Sequence, residues 1–234
     1  MPKSPAAFNN IIDSLLGRTA EVLAVSAPAP GHVEIALQSP PPTGGWQPGH
    51  EVQFRVTPTL SRRYTVNAVH GRDGDEISIL AATDAEGPGT RWIRELRVGA
   101  DVSVLSGRHR ALREVGHQRL YLGDGSALGA LDAYSSGSRA AVVALEVHPA
   151  AVAPLSERWP RYCFLPATRQ PGGALKAWLE RSHHEGTLAD IDGALLLGHA
   201  QSIQQQRHIL VERLEIPRQA ITTRPYWADG KHGL

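Results

Sequence analysis

Apolar and polar positions alternate with a period of two through the first half of the chain, and that alternation fades in the second half. Short runs at 21–25, 32–37, 51–57, 63–69, 76–81 and 101–105 either alternate or are rich in Val and Ile. Such spacing sends successive side chains to opposite faces of a strand. Turn-forming segments separate the runs: Pro28-Ala29-Pro30-Gly31, a stiff Pro/Gly loop at 39–45, His70-Gly71-Arg72-Asp73-Gly74-Asp75, and Arg97-Val98-Gly99-Ala100. Six closely spaced short strands with one helix-like insert at 90–96 predict a closed antiparallel six-stranded β-barrel. Ahead of them, residues 8–16 carry the apolar spacing of a short amphipathic helix, with Gly17 as its stop.

From about residue 119 the texture changes. Apolar runs at 120–122, 140–147, 161–165, 193–197 and 220–225 are strand-like, and the stretches ending near 134 and spanning 172–183 and 200–214 read as helices. Strands alternating with helices imply a parallel sheet with helical crossovers. The charged, aperiodic stretch 108–117 separates the two textures. The expected organisation is an N-terminal helix over 1–18, a barrel over 19–112 and an α/β domain over 113–234.

Composition narrows the function classes. Among 234 residues, 41% are hydrophobic and 20% charged, the balance of an ordinary globular chain. A formal net charge of +1 gives no electrostatic case for nucleic acid or a membrane surface. No apolar stretch approaches ~20 residues, so no membrane insertion by a helix is expected. The first residues carry Asn9, Asn10 and Asp13 where a signal peptide needs an apolar core, and the single cysteine, Cys163, fits a reducing cytoplasm. Cys163 sits in an apolar run and reads as a buried core residue. The eleven histidines show no metal-ligand spacing and read as surface residues, with His50 as a candidate for the barrel lining.

Four segments carry candidate chemistry. In Arg62-Arg63-Tyr64-Thr65-Val66-Asn67, strand geometry would turn Arg62, Tyr64 and Val66 to one face and Arg63, Thr65 and Asn67 to the other. A cation for a diphosphate, an aromatic to flank a flavin ring and a hydroxyl near its reactive nitrogen stand there in compact order. Alone, the run fits an edge strand with solvated arginines equally well. The second segment, Gly87-Pro88-Gly89-Thr90 before Arg91-Trp92, opens a helix whose free amides suit a phosphate, with Thr90 as cap or phosphate donor. The third, Gly123-Asp124-Gly125-Ser126-Ala127, is a small-residue turn between strand and helix, the place where open α/β sheets bind dinucleotides. The fourth is the tail Pro225-Tyr226-Trp227 with Lys231, an aromatic pair and a cation able to stack on a ring and pair with a phosphate.

In this order the motifs resemble the siderophore-interacting protein family, a branch of the ferredoxin reductase-like flavoproteins. That family shows Arg-x-Tyr-Thr-x-Arg, matched by 62–67, and His-Gly-x-x-Gly-Pro-Ala-Ser-x-Trp, matched by 83–92. Its Asp-Glu-Thr-Ala-Leu-Pro-Ala corresponds to 124–130, its late Gly-Glu-x to Gly198-His199-Ala200 with Arg207, and its Gly-Tyr-Trp tail to Pro225-Tyr226-Trp227. Asn67, Thr83-Asp84, Gly125 and His199 depart from the family pattern. The resemblance implies an FAD-binding barrel followed by an α/β domain for NADPH or NADH. By that likeness FAD is held by Arg62, Tyr64, Thr65, Val66, Asn67, Thr83, Gly87, Pro88, Gly89 and Thr90. The nicotinamide cleft is bordered by Asp124, Ser126, Ala127, His199 and Trp227, while Arg224 and Lys231 attract an anionic ferric siderophore or the cofactor's phosphate. No side chain is assigned a catalytic role and none a metal. The implied activity is reduction of siderophore-bound Fe(III), with a ferredoxin as the other candidate donor. The alternatives are a flavin-dependent reductase for a protein acceptor, and a non-catalytic siderophore- or partner-binding protein.

Overall fold

Alternation of buried and solvated positions builds the first half directly. In β3 (Glu51–Thr57), Val52, Phe54 and Val56 turn inward while their neighbours stay partly solvated. The same rule shapes β1 (Gly17–Ala29), β2 (His32–Gln38), β4 (Leu60–His70), β5 (Glu76–Ala82) and β6 (Asp101–Leu105). These close into an antiparallel barrel in the order β1-β2-β5-β4-β3-β6, sealed where Gly17 to Glu21 pair with Leu105 to Asp101. Its interior is a cluster including Val22, Ile35, Leu37, Phe54, Val66, Ile77, Ile79 and Val104. Each such side chain contributes roughly 1.5–3 kcal/mol on burial. Helix α1 (Pro88–Glu95) packs Ile93 onto that core. It begins two residues earlier than its sequence predicts, because the fixed φ of Pro88 suits a first helical turn.

The computed structural model describes residues 17–105, 112–137 and 141–230. The helix expected over 8–16 and the candidate Lys231 lie outside the described residues. By internal contacts the chain divides into two compact units, Met1–Ala111 and Leu112–Leu234.

One irregularity corrects the strict alternation expected of β4. Its pairing with β5 shifts register between Val66 and Ala68, so Asn67 is an extra residue in a bulge and both Val66 and Asn67 are buried. A bulge turns consecutive side chains out of the two-face pattern. Asn67 therefore does not share the face of Arg63, which is exposed.

The second unit is an α/β layer structure. Its strands are β7 (Arg119–Asp124), β8 (Ala141–Val147), β9 (Cys163–Pro166), β10 (Gly193–His199) and β11 (Ile221–Trp227). All pair in parallel, in the order β11-β10-β7-β8-β9. The connecting helices are α2 (Leu128–Ser135), α3 (Val152–Arg158), α4 (Gly173–His184) and α5 (Ala200–Glu212). Every residue of β10 is buried, as a continuous apolar run in a sheet covered on both faces requires. The first strand of this unit, β7, lies centrally with β8 on one side and β10 on the other, so the strand order reverses between β7 and β10.

Three further expectations need correction. Helix α3 is absent from the sequence reading, because Pro154 masks its periodicity; in the first turn, where the proline stands, its missing N–H costs nothing. Cys163 is half-buried on edge strand β9, its thiol pushed up by burial, rather than enclosed in the core. His32 and His199 are 1% and 2% exposed, so these two are interior and not surface histidines. No helix among the described residues is long and apolar enough to cross a membrane.

Candidate functional sites

On the barrel, β4 and the start of α1 converge. The Tyr64 ring lies 5.9 Å from that of Phe54 and 6.2 Å from that of Trp92, nearly parallel to the latter. Phe54 and Trp92 are 5.2 Å apart, completing an aromatic cluster that ties β3, β4 and α1 together. Burial pushes the Tyr64 hydroxyl up to about 12, against the pull of the Arg62 charge, so at neutral pH it is a proton-bearing donor. A Cβ built on Gly89 would lie 3.1 Å from the Tyr64 hydroxyl oxygen and 3.4 Å from Cγ of Arg62. A side chain at this position would therefore crowd the Tyr64 hydroxyl and push it back by a few tenths of an ångström.

Gly87 precedes α1 in extended backbone, Pro88 has no N–H to offer, and no side chain caps the helix. The amides of Gly89 and Thr90 therefore open its first turn. Thr90 is not the cap, as the sequence suggested: its hydroxyl donates to the Ala85 carbonyl at 2.6 Å. Arg94 fixes the loop before the helix, donating to Glu86 at 2.8 Å and to the Thr83 carbonyl at 2.8 Å. Thr83 itself is buried, with its amide donated to Gly31 at 2.7 Å. Arg62 has no carboxylate partner among the described residues; it donates to the carbonyl of adjacent Ser61 at 3.2 Å.

The structure thus brings Arg62, Tyr64, Gly89 and Thr90 together, with Gly87 and Pro88 framing them. It sets Val66 and Asn67 in the interior. A lone guanidinium, a neutral phenol and two helix-opening amides make a seat for an anion. That donor set, packed closely at Gly89, fits the diphosphate of a flavin dinucleotide.

On the α/β unit, the ends of three parallel strands meet at one carboxylate. Asp124 closes β7 and is half-buried. It accepts the amide of Ser126 at 2.9 Å, the Ser126 hydroxyl, the amide of His199 at 2.7 Å and the indole N–H of Trp227 at 3.0 Å. Burial pushes its carboxyl up, and these donors pull it back. Gly198 makes the approach possible: at φ +107°, a Cβ there would stand 2.4 Å from an oxygen of Asp124. The His199 ring meets Trp227 edge-on at 4.4 Å. Among the described residues neither ring nitrogen of His199 has a hydrogen-bond partner, and Nε2 lies 3.6 Å from the exposed carboxylate of Asp229.

Of the residues the sequence nominates here, Asp124, Ser126, His199 and Trp227 are assembled, and Ala127 is buried in the short 3₁₀ turn below them. Arg224 pairs in register with Leu197, further back along β11. This cluster lies at the carboxyl edge, where the strand order reverses, which is where open α/β sheets bind dinucleotides. Because that edge also presents the buried His199 imidazole beside Asp229, it fits a nicotinamide dinucleotide. Among the described residues no three His, Cys, Asp or Glu side chains converge as they would around a metal ion.

Sequence reasoning missed Glu146, which is 5% exposed at the end of β8. A carboxylate inside the apolar run Ala141–Val147 was the available signal, since a buried acid needs fixed partners. It accepts the amides of Thr168 at 3.2 Å and Leu175 at 3.4 Å. Burial raises its carboxyl above the ordinary 4.5. The unfolded chain then releases this proton at a lower pH than the folded one, so its contribution to stability falls as pH rises through the folded pKa. Comparison of melting temperatures for the wild type and Glu146→Gln across pH will show the difference moving against the wild type above pH 4.5. A constant difference would mean that the carboxyl titrates as it does in the unfolded chain.

No protein-family model matches this sequence, and no curated protein is significantly similar to it. Solved structures are similar in fold. The siderophore-interacting protein of Acinetobacter baumannii matches at 16% identity and TM-score 0.72, with 92% of this chain and 91% of that one covered. The siderophore-interacting protein SipS of Aeromonas hydrophila matches at 20% identity and TM-score 0.72, covering 92% and 93%. Phthalate dioxygenase reductase, described as a modular structure for electron transfer from pyridine nucleotides to [2Fe-2S], matches at 14% identity and TM-score 0.70, covering 94% and 71%. The barrel followed by a parallel α/β unit is therefore the two-part fold shared by siderophore-interacting proteins and ferredoxin reductase-like proteins.

Proposed function

We propose that this protein is a cytoplasmic, FAD-dependent reductase that takes electrons from NADH or NADPH and delivers them to Fe(III) held by a siderophore. The observation that carries this reading is the barrel seat, where Gly89 opens a helix against the Tyr64 hydroxyl and Arg62, which has no carboxylate partner among the described residues. Arg62 and the amides of Gly89 and Thr90 hold the diphosphate, while the Tyr64 hydroxyl donates beside them. The aromatic cluster of Phe54, Tyr64 and Trp92 packs Tyr64 in place beside the seat. FAD, when bound, supplies the exchange between a two-electron hydride donor and a one-electron metal acceptor. On the α/β unit, His199 and Trp227 border the nicotinamide, and Asp124 holds both in place. Arg224, and Lys231 beyond the described residues, attract the anionic chelate. Iron leaves because Fe(II), larger and less charged than Fe(III), binds hard oxygen donors more weakly.

Purified protein mixed with FAD and desalted tests the reading. Retained flavin absorbance that bleaches anaerobically with NADH or NADPH, and returns on adding ferric siderophore as an Fe(II) chelator colours, is the expected result. Return of colour only with an oxidised ferredoxin would assign a protein acceptor instead. Failure to retain FAD would leave a binding protein.

A further inference from the structure

The loop that leads into α1 is held by the helix it starts. Thr90 and Arg94 stand four residues apart on α1 and so share one face. The Thr90 hydroxyl donates to the Ala85 carbonyl at 2.6 Å, and the Arg94 fork donates to the Thr83 carbonyl and the Glu86 carboxylate, each at 2.8 Å. The Arg91 amide takes the Gly87 carbonyl at 3.0 Å. The carbonyls of Thr83, Ala85 and Gly87 thus all answer donors from α1. An exposed ion pair by itself contributes little. Here the same guanidinium is also anchored on the backbone of Thr83, a buried residue.

Glu86 matters for where it stands. It adjoins Gly87, the cap position of a helix whose first amides no side chain caps. A Cβ built on Gly87 would meet nothing within 4 Å, so the helix start is open on that side. A carboxylate readily fills such a position, because it bonds the free amides and suits the positive end of the helix dipole. Asp84, the other acid of this loop, has its Cβ packed against Gly31. The Glu86 side chain is 71% exposed, and the bond from Arg94 is what restrains it among the described residues. We infer that Arg94 is a positioning residue for the flavin dinucleotide: by holding Glu86 it keeps a rival carboxylate off the amides of Gly89 and Thr90. The inference rests on the reading of the barrel seat as the site of the diphosphate.

FAD binding by the full chain, read from flavin fluorescence quenching, tests it without turnover. Arg94→Met weakens binding by about tenfold, as a competing capping carboxylate would. Adding Glu86→Ala to that variant recovers most of the loss, because no acceptor is left to compete. Bracing of Thr83 alone would not be rescued in this way. Arg94→Lys, which keeps the charge, stays within about threefold of the wild type. Glu86→Ala alone, which does not depend on how the Arg94 variants fold, binds FAD no more weakly than the wild type. With FAD bound by the wild type, four results overturn the inference and leave the seat standing: unchanged affinity in Arg94→Met, a loss that Glu86→Ala does not recover, an equal loss in Arg94→Lys, or weaker binding by Glu86→Ala alone. A wild type that binds no FAD overturns the reading of the seat and this inference together.

Discussion

Arg62→Ala weakens FAD binding by about 10- to 100-fold, the loss expected for one charge-assisted contact to a phosphate. The barrel stays folded, because the guanidinium has no carboxylate partner among the described residues and donates to the neighbouring Ser61 carbonyl. Nothing buried is orphaned by its removal. Arg62→Lys restores part of the affinity, since a lysine keeps the charge but loses the planar fork. Flavin fluorescence quenching gives the dissociation constant, and a melting curve checks the fold. An unchanged constant in the alanine variant would make Arg62 an ordinary solvated cation and remove the main support for a flavin on this barrel.

Gly198→Ala destabilises the α/β unit by about 3 kcal/mol or more, from backbone strain at positive φ together with displacement of a multiply hydrogen-bonded carboxylate. The new Cβ would fall 2.4 Å from Asp124, and the backbone at φ +107° is one that alanine rarely adopts. Asp124 cannot withdraw cheaply, because the amides of Ser126 and His199 and the indole of Trp227 all donate to it. A drop of roughly 10 °C in melting temperature is expected for this unit. A shift within a degree would show that Asp124 has room to move and is not the fixed point of the three strand ends.

Much of the architecture is legible in the chain because periodicity reports burial. The run 51–57 alternates strictly and becomes β3 with those same ends, and the apolar stretch 193–197 becomes the fully buried β10. What escaped was local exception. The bulge at Asn67 depends on how β4 pairs with β5, which no single-strand pattern encodes. Pro154 disguised α3. Thr90 reads as a cap in sequence, yet the chain folds back far enough for its hydroxyl to find Ala85. The site residues divide in the same way. Arg62, Tyr64 and Gly89 were nominated by type and order, and the fold supplies their contact. Glu146 passed unnoticed because one acid in a hydrophobic strand looks like a flaw until three amides are seen around it.

The bond from Trp227 to Asp124 joins residues 103 positions apart, while the barrel has all its strands by Leu105. Since domains tend to fold in the order they are synthesised, the two halves mature on different clocks. The barrel can close while the ribosome is still making the remainder. The Asp124 carboxylate must wait, one donor short, until β11 has been translated and can dock.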